Sequence, residues 1–305
     1  MRFWWRSVLA SLLVLSTARA QHANPRSGVA DIRIHSDLVL INALVTDRRG
    51  RVITGLDASR FRLFEDGQEQ VVKYCVNEDA PVSIGLVLDT SGSMGDKLDL
   101  LKQGAIQFVQ AANPADEYFV VEFQSRPQVV IPFTTATDQV LRELAHIQAG
   151  GSTALFDAVQ VAVHEMKKAA YSRKALLIVS DGMDNHSRHS ERSTKRLVSE
   201  IDFPIYAINV WHPQYGNRYA IQRRDPETLE SISAPTGGRA FAVRDLKKLP
   251  AVTELISLEI RHEYVLGYVP PNRDSNGEFH KVRINVPMGE RLRISNRAGY
   301  YAREQ

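Results

Sequence analysis

Cysteine is almost missing from this sequence, which holds a single one, Cys75, in 305 residues. One cysteine excludes an intramolecular disulfide, so the fold must rely on a buried core, and the length allows one large domain and a smaller one. Cys75 lies in the alternating run 71–76, which indicates a small apolar residue of a strand. An intermolecular bridge is the alternative role for its thiol.

An excess of charge of one sign is also lacking. The chain holds 38 Lys and Arg against 35 Asp and Glu, and three of the arginines, Arg2, Arg6 and Arg19, lie in the first twenty residues. The rest of the chain is balanced at 35 of each sign, and no long basic run remains to follow a phosphate backbone. We therefore expect no nucleic-acid partner.

A hydrophobic run long enough for a stable membrane anchor is lacking at the N-terminus. The apolar run 8–15 follows Arg2 and Arg6 and precedes Ala18-Arg19-Ala20, a small-x-small cleavage pattern. This pattern predicts a secretory signal peptide over residues 1–20, with an uncleaved anchor as the alternative. We expect an exported protein, periplasmic or secreted, that has no stable membrane span after cleavage.

The most informative segment that is present is an apolar run ending on a carboxylate. Residues 83–88 lead into Asp89, and two hydroxyls follow at alternating positions, Ser91 and Ser93. A buried strand that stops at Asp-x-Ser-x-Ser gathers one anionic and two neutral oxygens on one turn. Such donors suit a hard divalent cation, with Mg²⁺ first and Mn²⁺ or Ca²⁺ behind it.

Two more loops complete the pattern. Gly150-Gly151-Ser152-Thr153 opens a helical stretch, and a second apolar run, 177–180, ends on Asp181. In this order the three loops resemble the metal-ion-dependent adhesion site of von Willebrand factor A domains. The resemblance implies a protein-interaction module whose partner supplies a Glu or Asp carboxylate to the metal. Carried over residue by residue, it implies metal ligands at Asp89, Ser91, Ser93, Thr153 and Asp181.

The region 82–262 alternates apolar strands with helical repeats, which predicts an α/β fold with a doubly wound, mostly parallel six-stranded sheet. The connection 124–127 is too short for a parallel crossover, so the strands on either side of it must form an antiparallel hairpin. The family resemblance implies the strand order 3-2-1-4-5-6, in which Asp89 and Asp181 share one crevice. The strand candidates are 83–88, 118–123, 128–133, 175–180, 204–210 and 239–243.

The flanks 31–78 and 263–303 carry short alternating strands, too few on either side for a sandwich of its own. Together they predict a small β-sandwich-like region into which the domain 82–262 is inserted. The layout resembles a bacterial family of exported proteins described as von Willebrand factor A-related. This resemblance rests on Glu65-Asp66-Gly67, 88–94, 151–157, Ser180-Asp181-Gly182, Thr236-Gly237-Gly238, Leu266-Gly267-Tyr268 and Ala298-Gly299-Tyr300-Tyr301.

Two enzyme classes compete with the binding module. The loop at Asp89 superficially resembles that of an aspartic protease, but Asp181 is followed by a glycine instead of the hydroxyl residue that the second loop needs. A metal hydrolase would draw imidazole ligands from His186 and His189, in a segment that otherwise has the polar composition of a solvated loop and no H-E-x-x-H pattern. The sequence favours a binding protein that is not an enzyme.

Overall fold

The computed structural model describes most of the chain after residue 37. The predicted signal peptide over residues 1–20 lies outside this part. The described ranges are 38–77, 79–210, 226–243, 245–271, 277–287 and 292–302.

Strands form three sheets in the described ranges. In chain order they are β1 (Val39–Thr46), β2 (Arg62–Glu65), β3 (Gln68–Gln70), β4 (Tyr74–Val76), β5 (Ser83–Asp89), β6 (Glu117–Phe123), β7 (Pro127–Thr134), β8 (Lys174–Ser180), β9 (Ile205–Val210), β10 (Ala240–Val243), β11 (Tyr264–Tyr268), β12 (Phe279–Asn285), β13 (Arg293–Asn296) and β14 (Gly299–Tyr301).

The central sheet has the predicted topology. Its order is β10-β9-β8-β5-β6-β7, which is 3-2-1-4-5-6 when its strands are numbered along the chain. All neighbours are parallel except β6 and β7, which form the antiparallel hairpin expected from their short connection. The fold class is confirmed. Because β5 pairs with both β6 and β8, the winding reverses at β5, where ligands collect in such sheets.

Helices cover both faces of this sheet, and the alternation of side chains along β5 divides the core between them. Leu86 and Leu88 pack in one apolar cluster with α1, α2 and α6, and Val87 packs in a second with α3, α4 and α5. The helices are α1 (Leu98–Gln110), α2 (Thr137–His146), α3 (Leu155–Glu165), α4 (Glu191–Glu200), α5 (Pro226–Ser233) and α6 (Leu249–Arg261).

One position in β5 requires glycine. A Cβ at Gly85 would overlap the ring of Phe119 and a methyl group of Leu176 on the neighbouring strands. The missing side chain therefore leaves room for two large core residues at the centre of the sheet.

The flanking strands form two antiparallel four-stranded sheets, with orders β13-β1-β11-β4 and β14-β12-β2-β3. Each sheet mixes strands from before and after the α/β region, since β1 pairs with β11 and β2 pairs with β12. The two sheets share one apolar core. Its buried members are Ile41, Ala43, Val45, Phe61, Leu63, Tyr264, Leu266, Tyr268, Val282 and Ile284.

The chain enters and leaves the α/β region at the same place. The Asn77 side-chain amide donates to the His262 carbonyl at 2.7 Å, although 185 residues separate them. Arg261, the last residue of α6, pairs with Asp79 at 3.0 Å and with the buried Asp116 at 2.7 Å. Among the described helices, none is long and apolar enough to cross a membrane.

Candidate metal centre

The three loops predicted from the sequence meet at the carboxyl ends of β5 and β8. These strands are parallel neighbours, and Asp89 ends the first while Asp181 follows the second. Main-chain hydrogen bonds join the first loop to the second, from Gly150 N to Thr90 O at 2.9 Å and from Gly92 N to Gly151 O at 3.0 Å. The loops therefore form one crevice at the point where the winding of the sheet reverses.

Asp89 is fully buried and accepts hydrogen bonds on both carboxylate oxygens. The Ser91 hydroxyl and main-chain N–H donate to Oδ1 at 2.6 Å and 3.0 Å, and the Ser180 hydroxyl donates to Oδ2 at 2.6 Å. Burial raises the pKa of Asp89 to about 6, against the lowering effect of these donors, and the charge of Asp181 raises it further. The hydrogen bonds that the described residues donate to this carboxylate all come from neutral groups.

Ser91 and Ser93 form a short chain of hydroxyls that leads away from Asp89. Their oxygens lie 3.1 Å apart, and because Ser91 gives its proton to Asp89, Ser93 is the donor between the two. Each hydroxyl oxygen keeps an unused lone pair after these bonds. Neutral oxygens with free lone pairs are the ligands that complete the shell of a hard cation.

Asp181 already has a cation beside it, a residue that sequence reasoning missed. Lys97 Nζ lies 2.7 Å from Asp181 Oδ2, and the two side chains are 5% and 0% exposed. The other oxygen, Oδ1, accepts from Met183 N at 3.3 Å. Among the described residues, one ammonium thus serves two buried carboxylates of the crevice, which leaves one carboxylate without an ion-pair partner there.

Thr153 is buried and is tied to the third loop through its main chain. Its N–H donates to the Asn185 side-chain oxygen at 2.9 Å, and its carbonyl accepts from the N–H groups of Asn185 and His186 at 3.0 Å each. These three bonds set the position of Thr153 relative to the loop that carries Asp181. His186 takes part through its main chain, and its side chain is exposed.

The third loop also caps the start of α3. Asp184 accepts from Phe156 N at 3.1 Å and the Ser187 hydroxyl accepts from Asp157 N at 3.1 Å, so side chains of the loop satisfy N–H groups that a helix leaves open at its first turn. His189 Nδ1 lies 2.7 Å from the Asp157 carboxylate. Its imidazole is therefore engaged on α3 instead of on the Asp89 crevice.

The donor chemistry of the crevice fits a divalent ion. The structure brings Asp89, Ser91 and Ser93 into direct contact, sets Asp181 close enough to raise the pKa of Asp89, and joins Thr153 through the third loop. All the donors are oxygens, and two buried carboxylates share one ammonium. A cation of the Mg²⁺ class would supply the missing positive charge. The assignment of these five residues as ligands stays a prediction.

Comparison with known proteins agrees with this architecture. The sequence profile described as von Willebrand factor type A domain matches residues 84–183. A protein of Borreliella burgdorferi described as uncharacterized is 24% identical over 229 residues, which cover 68% of this chain and 67% of that protein. Human von Willebrand factor A domain-containing protein 3B is 26% identical over 197 residues, 62% of this chain but 14% of the human protein.

A solved structure extends the likeness to the fold. The von Willebrand factor type A protein of Catenulispora acidiphila superposes with a TM-score of 0.53 at 12% identity, covering 88% of this chain and 74% of that one. The matched residues run from β5 to the end of β8 and include all five predicted ligands. Residues 84–183 therefore match the von Willebrand factor type A domain in sequence profile, and the chain shares its fold with the solved structure of that type.

Proposed function

We propose that this chain is an exported, metal-dependent protein-binding module. In this proposal a divalent cation, Mg²⁺ before Mn²⁺ or Ca²⁺, is held at the crevice and binds a Glu or Asp carboxylate of a partner protein. The observation that carries the proposal is a pair of buried carboxylates with a single ammonium, beside hydroxyls with unused lone pairs. The ligands are Asp89, Ser91, Ser93, Thr153 and Asp181.

Charge explains why the partner group is a carboxylate. With a divalent ion in place, the charges of the ion, Lys97, Asp89 and Asp181 leave the crevice with one net positive charge. Five side chains cannot all bind an octahedral ion directly and still leave room for its waters, so at least one position is open to an incoming oxygen. An anionic oxygen gains more there than a neutral one because it removes the remaining charge.

A binding role is favoured over hydrolysis by the partners of the nearby groups. Domains of this family are generally adhesion and interaction modules and not enzymes. Ser91 donates to a carboxylate that accepts from two hydroxyls, and His189 is engaged on Asp157. A nucleophilic hydroxyl needs a neighbouring base that takes its proton, and the imidazole of His189 is engaged on Asp157 instead of on Ser91. A hydrolase that uses the same crevice is the alternative, and metal-dependent turnover of peptide or ester substrates that is lost in Asp89→Ala would favour it.

Export rests on the predicted signal peptide over residues 1–20. We expect the purified native protein to begin after Ala20 and to be recovered from the periplasmic or culture fraction. Recovery of the full chain with an intact Met1 from the cytoplasm would contradict export and would leave the binding proposal standing.

The metal site is tested by calorimetry on Asp89→Ala. Because neither the serine hydroxyls nor Thr153 can replace a negative charge, the affinity for Mg²⁺ or Mn²⁺ should fall at least tenfold, about 1.4 kcal/mol or more. Asp138→Ala is the matched control, since Asp138 is exposed on the first turn of α2. Equal affinity in the wild type and Asp89→Ala would refute the site.

Partner binding is tested by a crosslinking pull-down from the native host, with and without chelator. A partner captured by the wild type should be lost in chelator and with Ser91→Ala or Thr153→Ala, and retained with Asp138→Ala. Substitution of one surface carboxylate on that partner should also abolish capture. A partner held equally well in excess chelator would show that the flanking sheets, not the metal, do the docking.

A further inference from the structure

A second group of metal-binding side chains lies in the flanking sheets, away from the crevice. Glu65 ends β2 and Asp66 follows it in the turn to β3, while His280 lies on the adjacent strand β12. Tyr300 of β14 is paired directly with His280, and Tyr268 comes from β11 of the opposite sheet. All of these residues except His280 belong to sequence motifs that the crevice does not use.

The side chains of three of these residues converge on one point. His280 Nδ1 lies 2.8 Å from Asp66 Oδ2 and 3.5 Å from Glu65 Oε1, and all three ligand atoms lie within 4.8 Å of one another. Donor atoms bound to one metal at 2.0–2.2 Å are about 3–3.5 Å apart. The group therefore needs only a small expansion to enclose an ion.

One buried carboxylate oxygen at the same point has no hydrogen-bond partner among the described residues. Glu65 is 4% exposed, and its Oε1 accepts from the Tyr300 hydroxyl at 2.7 Å, whereas its Oε2 has no hydrogen-bond partner in the described part of the chain. The Tyr268 side chain lies beside it and is fully buried. Burial raises the pKa of Tyr268, and the nearby Tyr300 and Glu65 raise it further. A buried carboxylate oxygen without a donor is costly, and a cation removes that cost.

Backbone hydrogen bonds tie the turn that carries Asp66 to strand β12. Asp66 N donates to the Lys281 carbonyl at 2.9 Å, and Lys281 N donates to Asp66 Oδ1 at 2.8 Å. A Cβ at Gly299 would overlap the His280 carbonyl oxygen, so glycine is what lets β14 bring Tyr300 this close. Side chains whose backbone is fixed in this way lose little freedom when they bind an ion.

We propose that Glu65, Asp66 and His280 form a second metal site, selective for a divalent transition metal of the Zn²⁺ class. An imidazole nitrogen beside two carboxylates suits Zn²⁺ or Mn²⁺, whereas Mg²⁺ and Ca²⁺ prefer oxygen alone. Two carboxylates and a neutral imidazole carry two negative charges, which one divalent ion balances. Asp66 is half exposed, so the site opens to solvent on its side. This proposal is independent of the crevice.

The test is calorimetry with Zn²⁺ on the full chain, in Mg²⁺ sufficient to fill the crevice. We expect one Zn²⁺ per chain, bound at least tenfold more weakly by His280→Gln and by Asp66→Asn. His146→Gln is the matched control, because His146 is exposed on α2 and its Nδ1 contacts only the Arg142 carbonyl at 2.6 Å among the contacts described. The control should bind as the wild type does.

A second measurement separates loss of binding from loss of fold. Zn²⁺ should raise the melting temperature of the wild type and His146→Gln, and should not raise that of His280→Gln, with circular dichroism showing that each variant is folded. If His280→Gln does not fold, Asp66→Asn carries the test through the same two readouts. No stoichiometric Zn²⁺ binding, or equal affinity in the wild type and Asp66→Asn, would overturn the proposal.

Discussion

Lys97→Met is the sharpest test of how charge is arranged at the crevice. Methionine keeps the length of the side chain and removes the ammonium that lies 2.7 Å from Asp181. Both side chains are buried, so solvent cannot replace the lost partner. Breaking a buried pair in this way costs about 3–5 kcal/mol, because it leaves a buried charge uncompensated. We expect a loss of that size in the free energy of unfolding when metal is chelated.

Metal should recover part of this loss. In Lys97→Met, a divalent ion beside Asp181 would neutralise the carboxylate that the ammonium neutralises in the wild type. The ion would also bind without electrostatic repulsion from Lys97. We expect Lys97→Met to bind Mg²⁺ at least tenfold more tightly than the wild type, about 1.4 kcal/mol. At one fixed, saturating Mg²⁺ concentration, linkage reduces the stability deficit of the variant by the same amount.

The assay is urea unfolding followed by circular dichroism, in chelator and in Mg²⁺, with calorimetry for the affinity. Lys102→Met is the control, since Lys102 on α1 donates to the Ala145 carbonyl at 3.0 Å at the surface. It should change stability by no more than about 0.5 kcal/mol in either condition. A deficit that is identical with and without Mg²⁺, together with unchanged affinity, would refute the idea that the ion lies beside Asp181.

Three further predictions concern the core and the domain organisation. Burial raises the pKa of Glu263 from 4.5 to about 8, so between these pH values the folded chain keeps a proton that the unfolded chain releases. The free energy of unfolding should therefore fall as pH rises from 4.5 to 8. In urea titrations across this range, Glu263→Gln should show a smaller fall than the wild type. Gly85→Ala should lower the free energy of unfolding by about 1–3 kcal/mol because its methyl group overlaps Phe119, and an unchanged urea midpoint would contradict this. A fragment of residues 82–262 should unfold cooperatively by itself, whereas a folded fragment of residues 31–78 alone would refute the shared sandwich.

Much of the central sheet was predictable because its signals are local. The apolar runs at β5 and β8 are buried on both faces, so they stand out from their polar surroundings, and each ends on a residue of the crevice. The connection between β6 and β7 is too short for any pairing but an antiparallel one. The strand order itself came from the family resemblance, and the structure confirms it.

The groups that the sequence did not reveal depend on contacts between distant segments. Lys97 follows Gly-Asp at the start of a helix, where a lysine is ordinarily solvated, and only its contact with a residue 84 positions away shows its role. Ser180 was noted within a motif, but its bond to Asp89 depends on the pairing of two strands. His280 and Asp66 are 214 residues apart, so no spacing pattern connects them.

The closeness of Asn77 and His262 has a consequence for the order of folding. The two residues are 185 positions apart, and a flexible loop of that length would cost about 5 kcal/mol of chain entropy to close. Once the intervening α/β region has folded, its two ends are already held together, so the later strands reach β1 at little further cost. We expect the α/β region to fold first and the flanking sheets to assemble on it, the last step waiting for β13 and β14 at the end of the chain.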